Sequence, residues 1–233
     1  MTEQPITMFA RGLALGELYQ GLRLNSMALL EAIRQGAITD ADIPGLRDRH
    51  DHWEAEFRRI RDEEPQNIAA TLHQLMDSAI RWHQANDKQA RKVRCSEGCA
   101  HCCKLHTGIT EAEGVLLRII AARKGIHIDR ARLARQAGVR LRNWHELDAP
   151  DRRCVFLGAD DRCKVYAHRP MACRKYFVTS KPSACSTDDG INSQVTVFVA
   201  WNAEIVYSAA VSVFGLGGMA DMLFPPPAEA DLT

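Results

Sequence analysis

The chain has no cysteine in its first 94 residues and none in its last 48. After Tyr176 it has one lysine and no arginine, so the apolar stretch 191–219 carries no basic anchors. Asn202 and Glu204 interrupt the middle of that stretch. A carboxylate at that depth is costly in a bilayer, and missing flanking cations argue further against a span. The stretch is expected to fold back on the core as a buried helix, although Val195, Val197 and Val199 alternate as a strand would. The opening MTEQPITMFARGLALGELYQ lacks a basic segment followed by an unbroken apolar one, which excludes a secretory signal peptide and predicts a cytoplasmic protein. There is no internal repeat, no long linker and no glycine-rich nucleotide loop.

At 233 residues and 46% hydrophobic content, the chain can bury an ordinary core without covalent staples. A cytoplasmic setting keeps thiols reduced, so the eight cysteines point to metal or to sulfur chemistry and not to disulfides. The net charge of +1 conceals an uneven distribution. Residues 86–176 hold 20 Lys and Arg against 10 Asp and Glu, whereas both flanking segments are acidic. The positive charge travels with the cysteines, where it offsets the cost of desolvating thiolates. The same excess would suit a nucleic acid or another acidic partner through the Arg-rich stretch from Arg118 to Arg153, an alternative of lower weight.

The predicted architecture is mainly α. A helical N-terminal region occupies residues 1–92, a loop-rich, metal-stapled cysteine module residues 93–190, an apolar segment packing on the core residues 191–222, and a disordered tail residues 223–233. Leu15, Leu18, Leu22, Leu29 and Ile33 share one helical face that stops near Gly36, and Thr39 or Asp40 can cap the next helix. Leu46, Trp53, Phe57 and Ile60 mark that second helix. Pro65 opens a third, whose apolar face carries Ile68, Leu72, Leu75, Met76, Ala79 and Ile80. His50, His52, His73 and His83 fall in this region and are expected to be surface or packing residues. Thr110 and Glu113 have capping-box spacing, predicting a helix from there to Gly125. Another helix should run from about Asp129 towards Trp144. Cys154–Leu157 and Cys163–Tyr166 look like two short strands around Gly158, a hairpin at most, and Pro170 should start a helical turn carrying Cys173.

The cysteines fall as Cys95-x3-Cys99-x2-Cys102-Cys103, then Cys154, Cys163, Cys173 and Cys185. Closely spaced thiols in a glycine-bearing loop assemble a metal site at little cost in chain entropy. A zinc ribbon needs a second CxxC pair, and the later spacings do not supply one. Cys95-x3-Cys99-x2-Cys102 matches the cluster loop of radical S-adenosylmethionine enzymes in spacing alone, without the repeated βα units those enzymes need. Cys102 and Cys103, being adjacent, are expected to diverge.

The ordered set of Cys102-Cys103, Thr110 with Glu113, Cys154-Val-Phe-Leu, and Cys163-Lys-Val-Tyr-x-x-Arg169-Pro170-x-x-Cys173-Arg174 resembles the YkgJ-type cysteine-cluster family. That family is described as a zinc- or iron-chelating domain with eight characteristic cysteines, and the resemblance covers roughly residues 95–185. Three residues separate Cys95 from Cys99 where the family usually has two. A related cysteine-rich segment occurs in flagellin lysine methylases, which are associated with an iron–sulfur cluster. The resemblance implies metal chelation by Cys95, Cys99, Cys102, Cys103, Cys154, Cys163, Cys173 and Cys185, with Cys99, Cys102, Cys154, Cys163 and Cys173 the first choices. An iron–sulfur cluster is the preferred cofactor and zinc the alternative. Tyr166, Arg169 and Arg174 are candidates to hydrogen-bond cluster sulfur or counter its charge, and His101, His106 and His168 lie near enough in sequence to substitute as ligands. No reaction follows from the pattern. The expected partners do not include a membrane, make nucleic acid a minor option, and leave room for a protein docking on the N-terminal helices.

Overall fold

The computed structural model describes residues 38–39, 41–186 and 195–224. The helix expected across Leu15–Ile33 and the tail from residue 225 lie outside the described residues. Within them the protein is mainly α-helical, with only two-residue strand pairs. Helix α1 (Ile43–Arg59) follows a turn in which the Thr39 amide and hydroxyl both donate to the Asp42 carboxylate, each at 2.7 Å. Helix α2 (Pro65–Asn86) has Pro65 in its first turn, where a missing N–H costs nothing. Its buried face comprises Ile68, Ala69, Leu72, His73, Met76, Ile80 and His83. Of the predicted stripe Ile68, Leu72, Met76 and Ile80 are buried and Leu75 and Ala79 half-buried, while Ala69 and two histidines join the buried face.

Helix α3 (Glu111–Arg123) starts on the expected capping box. The Glu113 amide donates to the Thr110 hydroxyl, and the Thr110 amide donates back to the Glu113 carboxylate. Helix α4 is shorter than predicted. It spans Arg130–Gln136 from an Asp129 cap and stops before Gly138, whose φ of +73° turns the chain out of the helical path. Leu141–Glu146 is a separate 3₁₀ stretch that ends beyond Trp144. A one-turn helix α5 (Ala149–Arg152) leads into the cysteine hairpin, and α6 (Met171–Lys175) begins after Pro170 as foreseen.

The apolar segment forms a strand and then two helices, α7 (Trp201–Phe214) and α8 (Met219–Leu223). Eight successive residues of α7, Ala203 to Ala210, are buried, as befits a helix apolar on every side. It lies against both α1 and α2. Among the described residues no helix is long and apolar enough to cross a membrane.

The strands differ from expectation. The hairpin around Gly158 is reduced to a single bridge between Leu157 and Cys163. The strand pairs instead join distant segments. Strand β1 (Gly108–Ile109) pairs antiparallel with β4 (Gly217–Gly218), and β2 (Phe177–Val178) with β3 (Val197–Phe198). These pairs clamp the C-terminal segment onto the cysteine-bearing loops. One apolar core runs through all of it, from Phe57, Leu72 and Met76 through Leu117, Phe156 and Met171 to Ala209 and Leu223.

Candidate metal centre

Each thiol is delivered by an element too short to stand alone. The Val178 amide donates to the Cys95 sulfur at 3.3 Å, while the Arg94 amide donates to the Val178 carbonyl, so Cys95 is moored to β2. Gly98, at φ +87°, makes the turn that brings Cys99 round. Cys102 and Cys103 sit in a 3₁₀ turn (His101–Lys104), anchored where Trp144 donates its indole N–H to the Lys104 carbonyl. The Cys154 amide donates to the Cys103 carbonyl at 2.7 Å, tying the first cysteine loop to the second. The Leu157–Cys163 bridge positions Cys163, α6 carries Cys173, and a 3₁₀ turn (Pro182–Cys185) rests against His101–Lys104 with Cys185 on it.

All eight cysteines are free; Cys185 is buried and the other seven are half-buried. Their charges are felt across the group. Burial and the neighbouring Cys102 push up the thiols of Cys95, Cys154, Cys163, Cys173 and Cys185, with Cys154 and Cys185 each at about 11. The charge of Cys102 thus acts on five other thiols. Its own behaviour is the reverse. A hydrogen bond from the Cys103 thiol, with the Arg169 charge assisting, overcomes burial and lowers Cys102 to about 7. The same bond holds the Cys103 proton in place.

The Arg169 charge lowers Cys95, Cys102 and Cys163 together. Its guanidinium lies 4.3 Å over the Tyr166 ring. Lys124 acts on Cys163 and Arg132 on Cys154. Arg174 turns the other way, into the helical core. Of His101, His106 and His168, the candidate substitute ligands, His106 sets its ring against another side chain. His106 packs edge-on against Trp144, with ring centroids 5.1 Å apart. His50, His73 and His83 are buried, and His52 is exposed.

The donor set fits a soft metal centre. It is all sulfur, reduced, partly shielded from water and faced by a cation that compensates thiolate charge. Among the described residues, no three His, Cys, Asp or Glu side chains already converge on the spacing of a single ion. Residues 94–194 match a family model, CxxCxxCC, described as a putative zinc- or iron-chelating domain. The match covers under half of the chain and takes in all eight cysteines. Comparison with curated proteins and with solved structures returns no significant match. Helices α1, α2, α7 and α8 lie outside the matched segment and are joined to it by the shared core.

Three parts of the surroundings escaped the sequence. Glu113, expected only as a helix cap, also accepts hydrogen bonds from the Met171 amide at 2.6 Å and from His73 at 3.1 Å. Lys175 is buried against Glu204 at 2.7 Å. Met219 brings its thioether to 4.0 Å from the Cys154 sulfur. Only Glu204 left a trace in the pattern, as an acidic residue stranded in an apolar run.

Proposed function

We propose that the CxxCxxCC domain holds an iron–sulfur cluster on thiolates drawn from Cys95, Cys99, Cys102, Cys103, Cys154, Cys163, Cys173 and Cys185, in a cytoplasmic redox or maturation role. The supporting observation is the arrangement around Cys102. The charge of Cys102 acts on five other thiols, while among the described residues no three His, Cys, Asp or Glu side chains are gathered to single-ion spacing. A tetrahedral zinc site, with bonds of about 2.3 Å, needs sulfurs roughly 3.8 Å apart. A cluster of several irons bridges a wider gap between its thiolates. The cluster, when bound, supplies electron transfer or Lewis acidity. This chain's residues supply thiolate ligands, Arg169 as counter-charge, and the partial exclusion of water.

Anaerobic purification with iron, zinc and acid-labile sulfide analysis tests the proposal. Brown protein with sulfide and broad visible thiolate-to-iron absorption is the expected result. Stoichiometric zinc without sulfide would replace it with a structural zinc module, and metal-free, colourless protein would remove metal chelation altogether. Salt-dependent retention on DNA or RNA, the mark of phosphate contacts, would favour the Arg-rich stretch as a polyanion site instead.

A further inference from the structure

Helix α6 is five residues long, less than an isolated helix needs to persist. Its stability comes from three different helices. The Met171 amide at its start donates to Glu113 of α3 at 2.6 Å. Arg174 places Nη1 2.7 Å from both oxygens of Asp77 on α2. Lys175 donates to Glu204 of α7 at 2.7 Å and lies 4.6 Å over the Tyr207 ring. These anchors surround Cys173, which sits immediately before Arg174 in sequence.

Arg174 does more than fasten its own helix. Its Nε donates to the Arg169 carbonyl at 2.8 Å, and its Nη2 donates to the Ala167 carbonyl at 2.6 Å. Those carbonyls belong to the loop that begins after Cys163 with the 3₁₀ turn Tyr166–His168. One planar guanidinium therefore spans the Cys163–Cys173 connection and pins it to α2. It also sets the backbone of Arg169, whose charge acts on Cys102. Arg174, Lys175, Glu113 and Glu204 are all buried, at 9% exposure or less. Burying four ionisable side chains is costly unless each is paired, and removing one partner strands the other. Such an investment around one turn of helix is out of proportion to the apolar area that turn covers.

We infer that Arg174 is a positioning residue of the metal centre, holding Cys163 and Cys173 in mutual register and fixing the backbone of Arg169 between them. It touches no thiol itself. The inference rests on the metal-binding reading above and goes beyond it by assigning the loop geometry to one side chain. Lysine keeps the charge but lacks the fork that reaches two carbonyls and a carboxylate at once. The Arg174→Lys variant should therefore release metal more readily while keeping the fold.

The test compares anaerobically purified wild type, Arg174→Lys, and Phe57→Leu, the last a core change in α1 remote from the cysteine loops. Each protein's own metal is transferred to a coloured chelator at a temperature where far-ultraviolet dichroism shows all three folded. Arg174→Lys should lose metal tenfold to a hundredfold more readily than wild type, the usual scale when a group supporting metal ligands is changed. Its thiolate-to-metal absorption should also shift. Phe57→Leu should lower the melting temperature and leave release and spectrum at wild-type values. Metal release and spectrum in Arg174→Lys no different from those of Phe57→Leu would overturn the positioning role alone. A wild type holding no metal would overturn that role and the metal-binding reading together. Should Arg174→Lys not fold, Asp77→Asn carries the comparison. It should show a smaller rise in release, and wild-type behaviour there would sink the inference.

Discussion

The α1–α2–α7 scaffold and the cysteine loops of this chain are held together by different means. In the scaffold, long helices bury continuous apolar faces, with Leu72, Met76, Ala203 and Ala209 fully enclosed. The loops consist of one-turn helices, 3₁₀ turns and two-residue strands joined by single hydrogen bonds such as Cys154 N–H to the Cys103 carbonyl. Their polar side chains reach back to the scaffold for support, as Arg174 does to Asp77 and Lys175 to Glu204. The loops gather eight thiols whose protons and mutual charge leave them unsettled until a metal replaces those protons.

The sharpest way to break this contrast is to remove the metal. Structural thiolate sites return about 10 kcal/mol or more of binding free energy to the fold that makes them. Chelation should therefore strip amide-exchange protection from residues 95–104 and 154–185 while leaving Pro65–Asn86 and Trp201–Phe214 protected. Hydrogen exchange read by mass spectrometry separates the two regions. Equal loss of protection in both would show that the scaffold depends on the metal as much as the loops do.

Leu72→Ala probes the other side. Leu72 is fully buried in α2, and removing it should cost about 2–5 kcal/mol, from lost burial plus the cavity left behind. The loss, measured by urea unfolding, should be the same with and without metal. A metal-dependent loss would mean that the apolar core extends its control into the cysteine loops.

Gly114→Ala tests the seam where α3 meets α8. A methyl group there would sit 2.4 Å from the Met222 carbonyl oxygen, which is backbone and cannot swing away. The gain of about 1 kcal/mol in helix propensity is outweighed by an overpacking cost of about 1–3 kcal/mol. A melting temperature at or above that of the wild type would show that α8 moves aside freely.

The contrast between the regions also governs what could be read from the sequence. Thr110 with Glu113, Pro65, Pro170 and Gly125 act within one or two turns of themselves, and each start or stop they signal is present. The cysteine order and Arg169-Pro170 likewise marked the CxxCxxCC domain before any geometry. What could not be read depends on partners far along the chain. The second oxygen of Glu113 meets Met171, 58 residues away, and Arg118 donates to the Met222 and Leu223 carbonyls more than a hundred residues away. Gly108–Ile109 and Gly217–Gly218 have no strand pattern, because tertiary packing and not propensity makes them pair. The helix expected from Asp129 towards Trp144 is cut short after Gln136, where Ala137 leaves the helical path and Gly138 takes a positive φ.

The smallest expected effect joins the two regions through His83. Its Nε2 accepts a hydrogen bond from the Asn202 amide at 3.2 Å, supplying an acceptor to the first turn of α7 from a neighbouring helix. The ring is buried between Trp82 and Phe198, edge-on to both. Accepting requires the neutral ring. Burial lowers the His83 pKa below its usual value, with Asp87 partly opposing. In the unfolded chain the imidazole titrates near 6.5, so between that value and the lower folded one the unfolded state binds more protons. The stabilisation is therefore fully present above about pH 6.5 and fades as the pH falls towards the folded value. His83→Leu removes the acceptor and should cost about 1 kcal/mol at pH 7, in the range of a lost helix cap. The gap between wild type and variant in urea unfolding should narrow from pH 7 to pH 5, because only the wild type must give up a bond to become protonated. A gap that stays constant or widens on acidification would mean that His83 donates to its surroundings as the charged form, and that α7 does not depend on α2 for its cap.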